Sequence, residues 1–409
     1  MTSPNPTPPV STPARKLPLF EFVAMLAVLF ATAAFSVDAM LPSLSEIAAE
    51  LSPENTNRAQ LVLMSFMAGM GVGTACVGPI SDAIGRKPSI ILGSGLYIAA
   101  SAGAIFANNL TLLLVLRFIQ GMGASGPRIA GTALIRDLYA GREMARITSF
   151  VMMIFIMIPA LAPALGELII ESAGSWRAVF GAFMVFGTIG ITWVWLRQPE
   201  TLPPERRVPL NRKRLAASIR EVLGNRQVML CTLVLTLGFA QMFALLSSSE
   251  QLFGITYGRS ESFTRWFAVM AVLSGAGTII NARYVMRYGM RRMARAAYAM
   301  QIVAASLALL LVASGALQGD AAFYGFFIWA VSLFFMAGVT FGNLNALAMQ
   351  NMPHLAGVTA SMVAALSALG AVTIAAPVGL TFNGTPTPMM LAALVCSSLA
   401  WLLMARLRD

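Results

Sequence analysis

Gly78-Pro79-Ile80-Ser81-Asp82-Ala83-Ile84-Gly85-Arg86-Lys87-Pro88 decides how the chain is read. Predominantly apolar residues lead into it from about Leu61 and resume beyond it to about Phe106. A short polar turn is thus held between two helices of membrane length. Gly85 suits a tight reversal with positive φ, and Pro88 suits the first turn of the helix that follows. Arg86 and Lys87 stand where a cytoplasmic loop carries cations. Asp82 sits at the inner end of its helix, where its own helix dipole does not favour a carboxylate, so a partner elsewhere is expected.

The rest of the composition agrees. Of 409 residues, 57% are hydrophobic and 11% charged, with a mean hydropathy of +0.75. A soluble fold cannot cover that much apolar surface, so the chain is read as a polytopic membrane protein with the lipid bilayer as its surroundings. The formal net charge of +11 would suggest nucleic acid in a soluble domain. Here it is assigned to cationic cytoplasmic loops, and no nucleic-acid partner is expected. Cys76, Cys231 and Cys396 lie in apolar runs without paired spacing, and His354 is the single histidine. Neither a disulfide framework, a metal site nor a cofactor is indicated.

Apolar segments recur at about 19–43, 58–81, 88–107, 110–137, 146–170 and 176–197, then at about 227–252, 263–285, 294–315, 320–349, 357–382 and 387–406. The expected organisation is a disordered, Pro/Ser/Thr-rich cytoplasmic stretch 1–18, a six-helix bundle 19–197, a basic cytoplasmic linker 198–226 and a second six-helix bundle 227–409. With both termini inside, 22 of the 28 Lys and Arg fall on the cytoplasmic side and four outside, which fixes the orientation. The halves repeat. Placing Gly289 on Gly85 aligns Ala282-Arg283-Tyr284-Val285-Met286-Arg287-Tyr288-Gly289-Met290-Arg291-Arg292 with the opening stretch, with Met286 in the place of Asp82. Two such halves around a basic linker suggest a rocking transporter with its site between them.

The opening stretch resembles the loop 2–3 signature of the major facilitator superfamily, with Gly78, Ser81, Asp82, Gly85, Arg86 and Lys87 matching and Ala83 replacing a common arginine. Leu116-Arg117-Phe118-Ile119-Gln120-Gly121-Met122-Gly123 with Ile135-Arg136-Asp137, Asp38-Ala39-Met40-Leu41-Pro42, and Trp176-Arg177 extend the likeness. Together these resemble the drug:proton antiporters with twelve helices, and most closely the bicyclomycin/chloramphenicol-resistance (Bcr/CflA) subfamily. The antiporter motif of helix 5 is kept at Pro163 and Gly166, while Ala162 and Glu167 stand where glycines are usual. The resemblance implies an all-α integral membrane fold of twelve transmembrane helices in two pseudo-symmetric six-helix bundles. It also implies that Asp82, with Gly78, Gly85, Arg86, Lys87, Arg136 and Asp137, forms a conformational latch. In that latch Asp82 docks near Gly357 at the start of helix 11 when the cytoplasmic side is closed.

Among residues able to do chemistry, Asp38 stands out. A carboxylate inside a span costs about 2.5–3.5 kcal/mol on insertion scales and faces a cavity or a partner. Asp38 and Arg117 lie about 28 and 30 Å from the inner ends of their helices, so an Asp38–Arg117 ion pair is geometrically reasonable. It reads either as a proton-coupling site or as a fixed structural pair. Arg128 is about three turns from Arg117 and shares its face. It reads either as a selector of substrates with acceptor groups, or as snorkelling or pairing with Asp82. Gln120, Gln241, Phe243, Asn343 and Asn345 are the further candidates for substrate binding, since polar amides in spans face protein or water. Glu250 and Glu167 read either as solvated helix ends or as further protonatable groups.

The expectation is a proton-coupled exporter of small, partly apolar organic compounds, acting as a monomer in the cell inner membrane with protons as the coupling ion. No Gly-x-x-x-x-Gly-Lys phosphate loop occurs, so ATP is not the expected drive. A symporter importing a metabolite or siderophore is the alternative. A membrane-embedded enzyme is disfavoured, since no nucleophile–base pair or ligand cluster lies within the spans.

Overall fold

The computed structural model describes residues 17–350 and 352–407. The expected disordered stretch 1–18 therefore lies almost wholly outside the described residues. Everything regular among them is helical. The first bundle comprises α1 (Leu19–Asp38), α3 (Leu61–Ile84), α4 (Arg86–Ile105), α5 (Leu110–Leu138), α6 (Gly141–Ala173) and α7 (Arg177–Arg197). A short α2 (Leu44–Leu51) follows α1, and α8 (Arg212–Gly224) lies between the bundles. The second bundle is α9 (Arg226–Gln251), α10 (Phe263–Tyr288), α11 (Met290–Ser314), α12 (Gly319–Gln350), α13 (Ala356–Leu380) and α14 (Thr387–Met404). Of these twelve long helices, eleven have the length and apolarity to cross a membrane, and α6, at 33 residues, is the twelfth.

Local chemistry explains where the helices break. Gly85 takes φ +108° and Gly289 φ +82°, each ending one helix and opening the next. Such positive φ is open to glycine and strained for other residues. The Asn109 side chain accepts from Leu112 N to start α5, and Asn225 accepts from Gln227 N and Val228 N to start α9. Two elements escaped the sequence reading. α2 lies between the first two expected segments, 19–43 and 58–81. Its Glu50 takes both terminal nitrogens of Arg177 (2.7 and 2.8 Å) and the Trp176 indole (2.7 Å), which gives the Trp176-Arg177 pair its role in anchoring α7. α8 occupies part of the basic linker, where His354 meets its Glu221.

The pairing of helices repeats between the halves. α5 packs on α3 and α4, α7 on α4, and α1 on α5, α6 and α7. In the same pattern α12 packs on α10 and α11, α14 on α11, and α9 on α12, α13 and α14. The halves then meet through α3 against α13 and α6 against α10, equivalent pairs under the same two-fold relation. Within the first bundle, approach is close enough that only glycine fits at Gly121. A Cβ there would stand 2.0 Å from the Phe66 carbonyl oxygen. Such close approach leaves α5 and α3 little room to shift against each other.

Candidate functional site

Arg117 is wholly buried (0% exposed) at the heart of the first bundle. Its Nη2 donates to the Ser36 carbonyl of α1 (3.0 Å), its Nε to the Val62 carbonyl of α3 (3.3 Å) and its Nη1 to Gln120 Oε1 (2.7 Å). The Phe66 ring lies 4.5 Å from the guanidinium carbon, adding a cation–π contact. Gln120 passes the network on, donating to Ser101 Oγ (2.7 Å), while Ser36 Oγ and Tyr97 Oη are 2.6 Å apart. The expected Asp38–Arg117 ion pair is not formed. Backbone carbonyls satisfy the guanidinium instead, and Ser36, two residues before the acid, is the link between them.

Asp38 closes α1 and is 6% exposed, yet has neither a hydrogen bond nor an ion pair among the described residues. The turn after it is backed by α6. A Cβ on Gly166 would stand 2.2 Å from the Ala39 carbonyl oxygen, so the helix-5 motif glycine sets how closely α6 can support this turn. Pro163 lies one turn earlier within α6. The next residue, Glu167, donates nothing but accepts from Thr264 Oγ1 of α10 at 2.7 Å, across the two halves. This corrects the view of Glu167 as a solvated helix end. Glu250 is half-buried, set among Ser45 and Gly254 rather than in open solvent.

The remaining binding candidates divide. Gln120 has both ends of its amide engaged inside the first bundle and no exposed surface, so it supports Arg117 and is not offered to a ligand. Gln241 (2% exposed) bonds the Leu237 carbonyl and Ser397, tying α9 to α14. Asn343 (4% exposed) exchanges hydrogen bonds with Asn281 of α10. Phe243 (5% exposed) packs on Phe239, which stacks in turn on Phe341. Asn345 is half-buried and caps the Phe341 carbonyl. For Gln120, Gln241, Phe243 and Asn343 the substrate-contact expectation therefore fails in this conformation, because each is enclosed by its own bundle. Arg128 differs. Its side chain is exposed, on the face of α5 that carries Arg117 between α1 and α3.

The two ends of that opening are unlike. At the end away from the basic loops, Gln60 (2% exposed) donates to Gln251 Oε1 (2.6 Å) and accepts from Ser248 (2.9 Å) and Ser247 (3.2 Å). Asn57 adds bonds to the Leu380 and Phe382 carbonyls of the second half. None of these sealing residues was singled out in the sequence, because neutral amides and serines carry no distinguishing pattern. At the basic end a cavity of about 340 Å³ separates Gly78, Ser81, Asp82, Arg86 and Arg136 from Gly357 and Val358. Asp82 makes no hydrogen bond or ion pair with the second half among the described residues. Asp82 binds Arg86, whose Nε also takes Asp137 Oδ2 (3.0 Å) and whose Nη1 takes Ser81 (3.0 Å). Glu200, missed in the sequence, accepts from the backbone N–H groups of Arg86 (3.0 Å) and Lys87 (3.1 Å), and Lys87 Nζ reaches the Trp195 carbonyl. Val208 N donates to the Asp82 carbonyl (3.0 Å), so the linker is stitched to the turn at Gly85.

A sealed end, an open end and two equivalent bundles define a multi-pass membrane transporter, and the chain belongs to the Major Facilitator Superfamily, which it matches over residues 24–375. It is therefore of a transporter family and not an enzyme family. It is 28% identical over 362 residues to the "Bicyclomycin resistance protein homolog" of Haemophilus influenzae, covering 86% of this chain and 87% of that one. It is 27% identical over 351 residues to "Multidrug resistance protein D" of Escherichia coli (strain K12), covering 86% of each. These are resistance proteins of the branch that the motifs around Asp38, Asp82 and Arg117 resemble. A solved D-xylose-proton symporter superposes with a TM-score of 0.76 over 96% of this chain and 98% of its own, at 14% identity, which speaks for the fold alone.

Proposed function

We propose that the protein exports small, partly apolar organic compounds across the inner membrane in exchange for protons, by alternating access. Both termini and the basic loops face the cytoplasm in this reading, so the conformation described is open inward. One chain supplies both halves of the route, so a monomer suffices, and the proton is the only coupling species required. The observation that carries the reading is Asp38, a carboxylate buried in the first span without a partner. An ionised group held there is costly, and taking up a proton removes the charge.

Asp38 ends the helix whose Ser36 carbonyl is held by Arg117, and its turn rests on Gly166 of α6. α6 meets α10 across the interface, so rocking the halves moves the wall behind the acid. Hydration of Asp38 then changes between the two open states, and with it the proton's residence. Proteoliposomes loaded with a fluorescent drug and given a proton gradient test this. Wild type should move drug against the proton flux, and Asp38→Asn should retain its fold and drug binding while losing gradient-driven transport by at least about tenfold. Undiminished antiport in that variant would refute the role, and drug movement in the same direction as protons would make the protein an importer.

A further inference from the structure

Arg128 has the environment of a residue awaiting a counter-ion. It is exposed on the face of α5 that carries Arg117 between α1 and α3, next to Ile129 of the cavity lining and about 13 Å from the basic end of α5. No hydrogen-bonded or ion-paired side chain accompanies it among the described residues. The carboxylates at the basic ends of α3 and α5, Asp82 and Asp137, are both taken by Arg86. The facing half has none to offer. Between residues 226 and 407 the sequence holds only Glu250, Glu261 and Asp320, all at the end opposite the basic loops. Asp38, near the far end of α1, becomes uncharged when it takes a proton. A permanent cation is thus presented to an opening whose lining carboxylate, Asp82, is already bonded to Arg86.

We propose that the transported compounds carry an anionic group, a carboxylate, sulfonate or phosphate, which docks on Arg128. This deepens the export reading by naming the substrate class and rests on that reading for the transport step alone, since binding can be measured without it. Guanidinium groups suit such oxyanions because they offer paired, coplanar N–H donors. The apolar remainder of the ligand would lie against the aromatic and aliphatic walls of the opening.

The test compares two dyes that share a xanthene core, anionic fluorescein and cationic rhodamine 123, by fluorescence polarisation with the full-length detergent-purified protein at pH 7.4 and low salt. Wild type should prefer fluorescein, and Arg128→Gln should lower the fluorescein-to-rhodamine affinity ratio by about tenfold or more, the size expected for losing one charge-assisted contact. Arg128→Lys should restore most of the ratio. Thr132 lies one turn on and is exposed, so Thr132→Asp leaves the arginine in place and supplies an internal counter-ion. It should lower the ratio as well, and it serves where the glutamine variant folds poorly. A wild type that prefers rhodamine 123, or ratios unchanged in both Arg128→Gln and Thr132→Asp, would overturn the proposal. Fluorescein bound through Arg128 but unmoved by a proton gradient would sustain the anion site and sink the export reading.

Discussion

Arg117 donates to two main-chain carbonyls and one amide, so its charge orders α1, α3 and α5 around itself without a carboxylate in contact. Its link to Asp38 is the Ser36 peptide of α1 and not a contact. Removing it leaves buried acceptors without donors, each costing about 1–3 kcal/mol. Arg117→Gln should therefore lower thermal stability in detergent, and Arg117→Lys should recover only part, since an ammonium group cannot span the three acceptors. A direct ion pair makes a different forecast. In that case Asp38→Asn would rescue Arg117→Gln, because each charge alone is the problem. The geometry here expects a coupling below about 0.5 kcal/mol in the double-mutant cycle of melting free energies. A coupling of 2 kcal/mol, ~30-fold in equilibrium terms, would restore the ion-pair picture.

At the scale of elements, what could be read from sequence followed what repeats along a helix. The twelve apolar segments, the turn at Gly85 and its counterpart at Gly289 come from composition and one conformational demand, and both glycines hold positive φ. Depth along the axis could be counted, which placed Asp38 and Arg117 at one level. Azimuth and backbone acceptors could not, since every residue carries a carbonyl, and so the partner of Arg117 was misassigned. The same limit hid the outer seal. Gln60 is one neutral amide among many, but the start of α3, which it precedes, sets it against Gln251, Ser247 and Ser248 of α9. Its three hydrogen bonds, at about 1 kcal/mol each, are of the size needed to bias a two-state equilibrium by one to two orders of magnitude. Gln60→Ala should shift the resting population toward the state open at this end. Maleimide labelling of a cysteine placed at Ser247 should then quicken by about tenfold from the non-cytoplasmic side, and an unchanged rate would remove Gln60 from the gate.

For the whole molecule, the repeated pairing of helices suits a rocking of one half against the other. Their shared faces are α3 with α13 and α6 with α10, which the two-fold relation interchanges. Tilting one bundle about an axis running between those pairs parts them at one end as it brings them together at the other. The seal at Gln60 and Asn57 and the gap between Asp82 and Val358 are then two readings of one coordinate. Cysteines at Asn57 and Phe382, residues already bonded across the halves, should cross-link readily in the resting protein. The linked protein should keep the basic end open and retain dye binding, but lose transport until reduced. Cysteines at Asp82 and Val358 should instead cross-link slowly, and faster in a Gln60→Ala background, because releasing the far seal lets the near end close. If both pairs linked at full efficiency in the same molecules, the ends would be independent gates. The rocking motion, and with it the use of α6 to change the water around Asp38, would have to be given up.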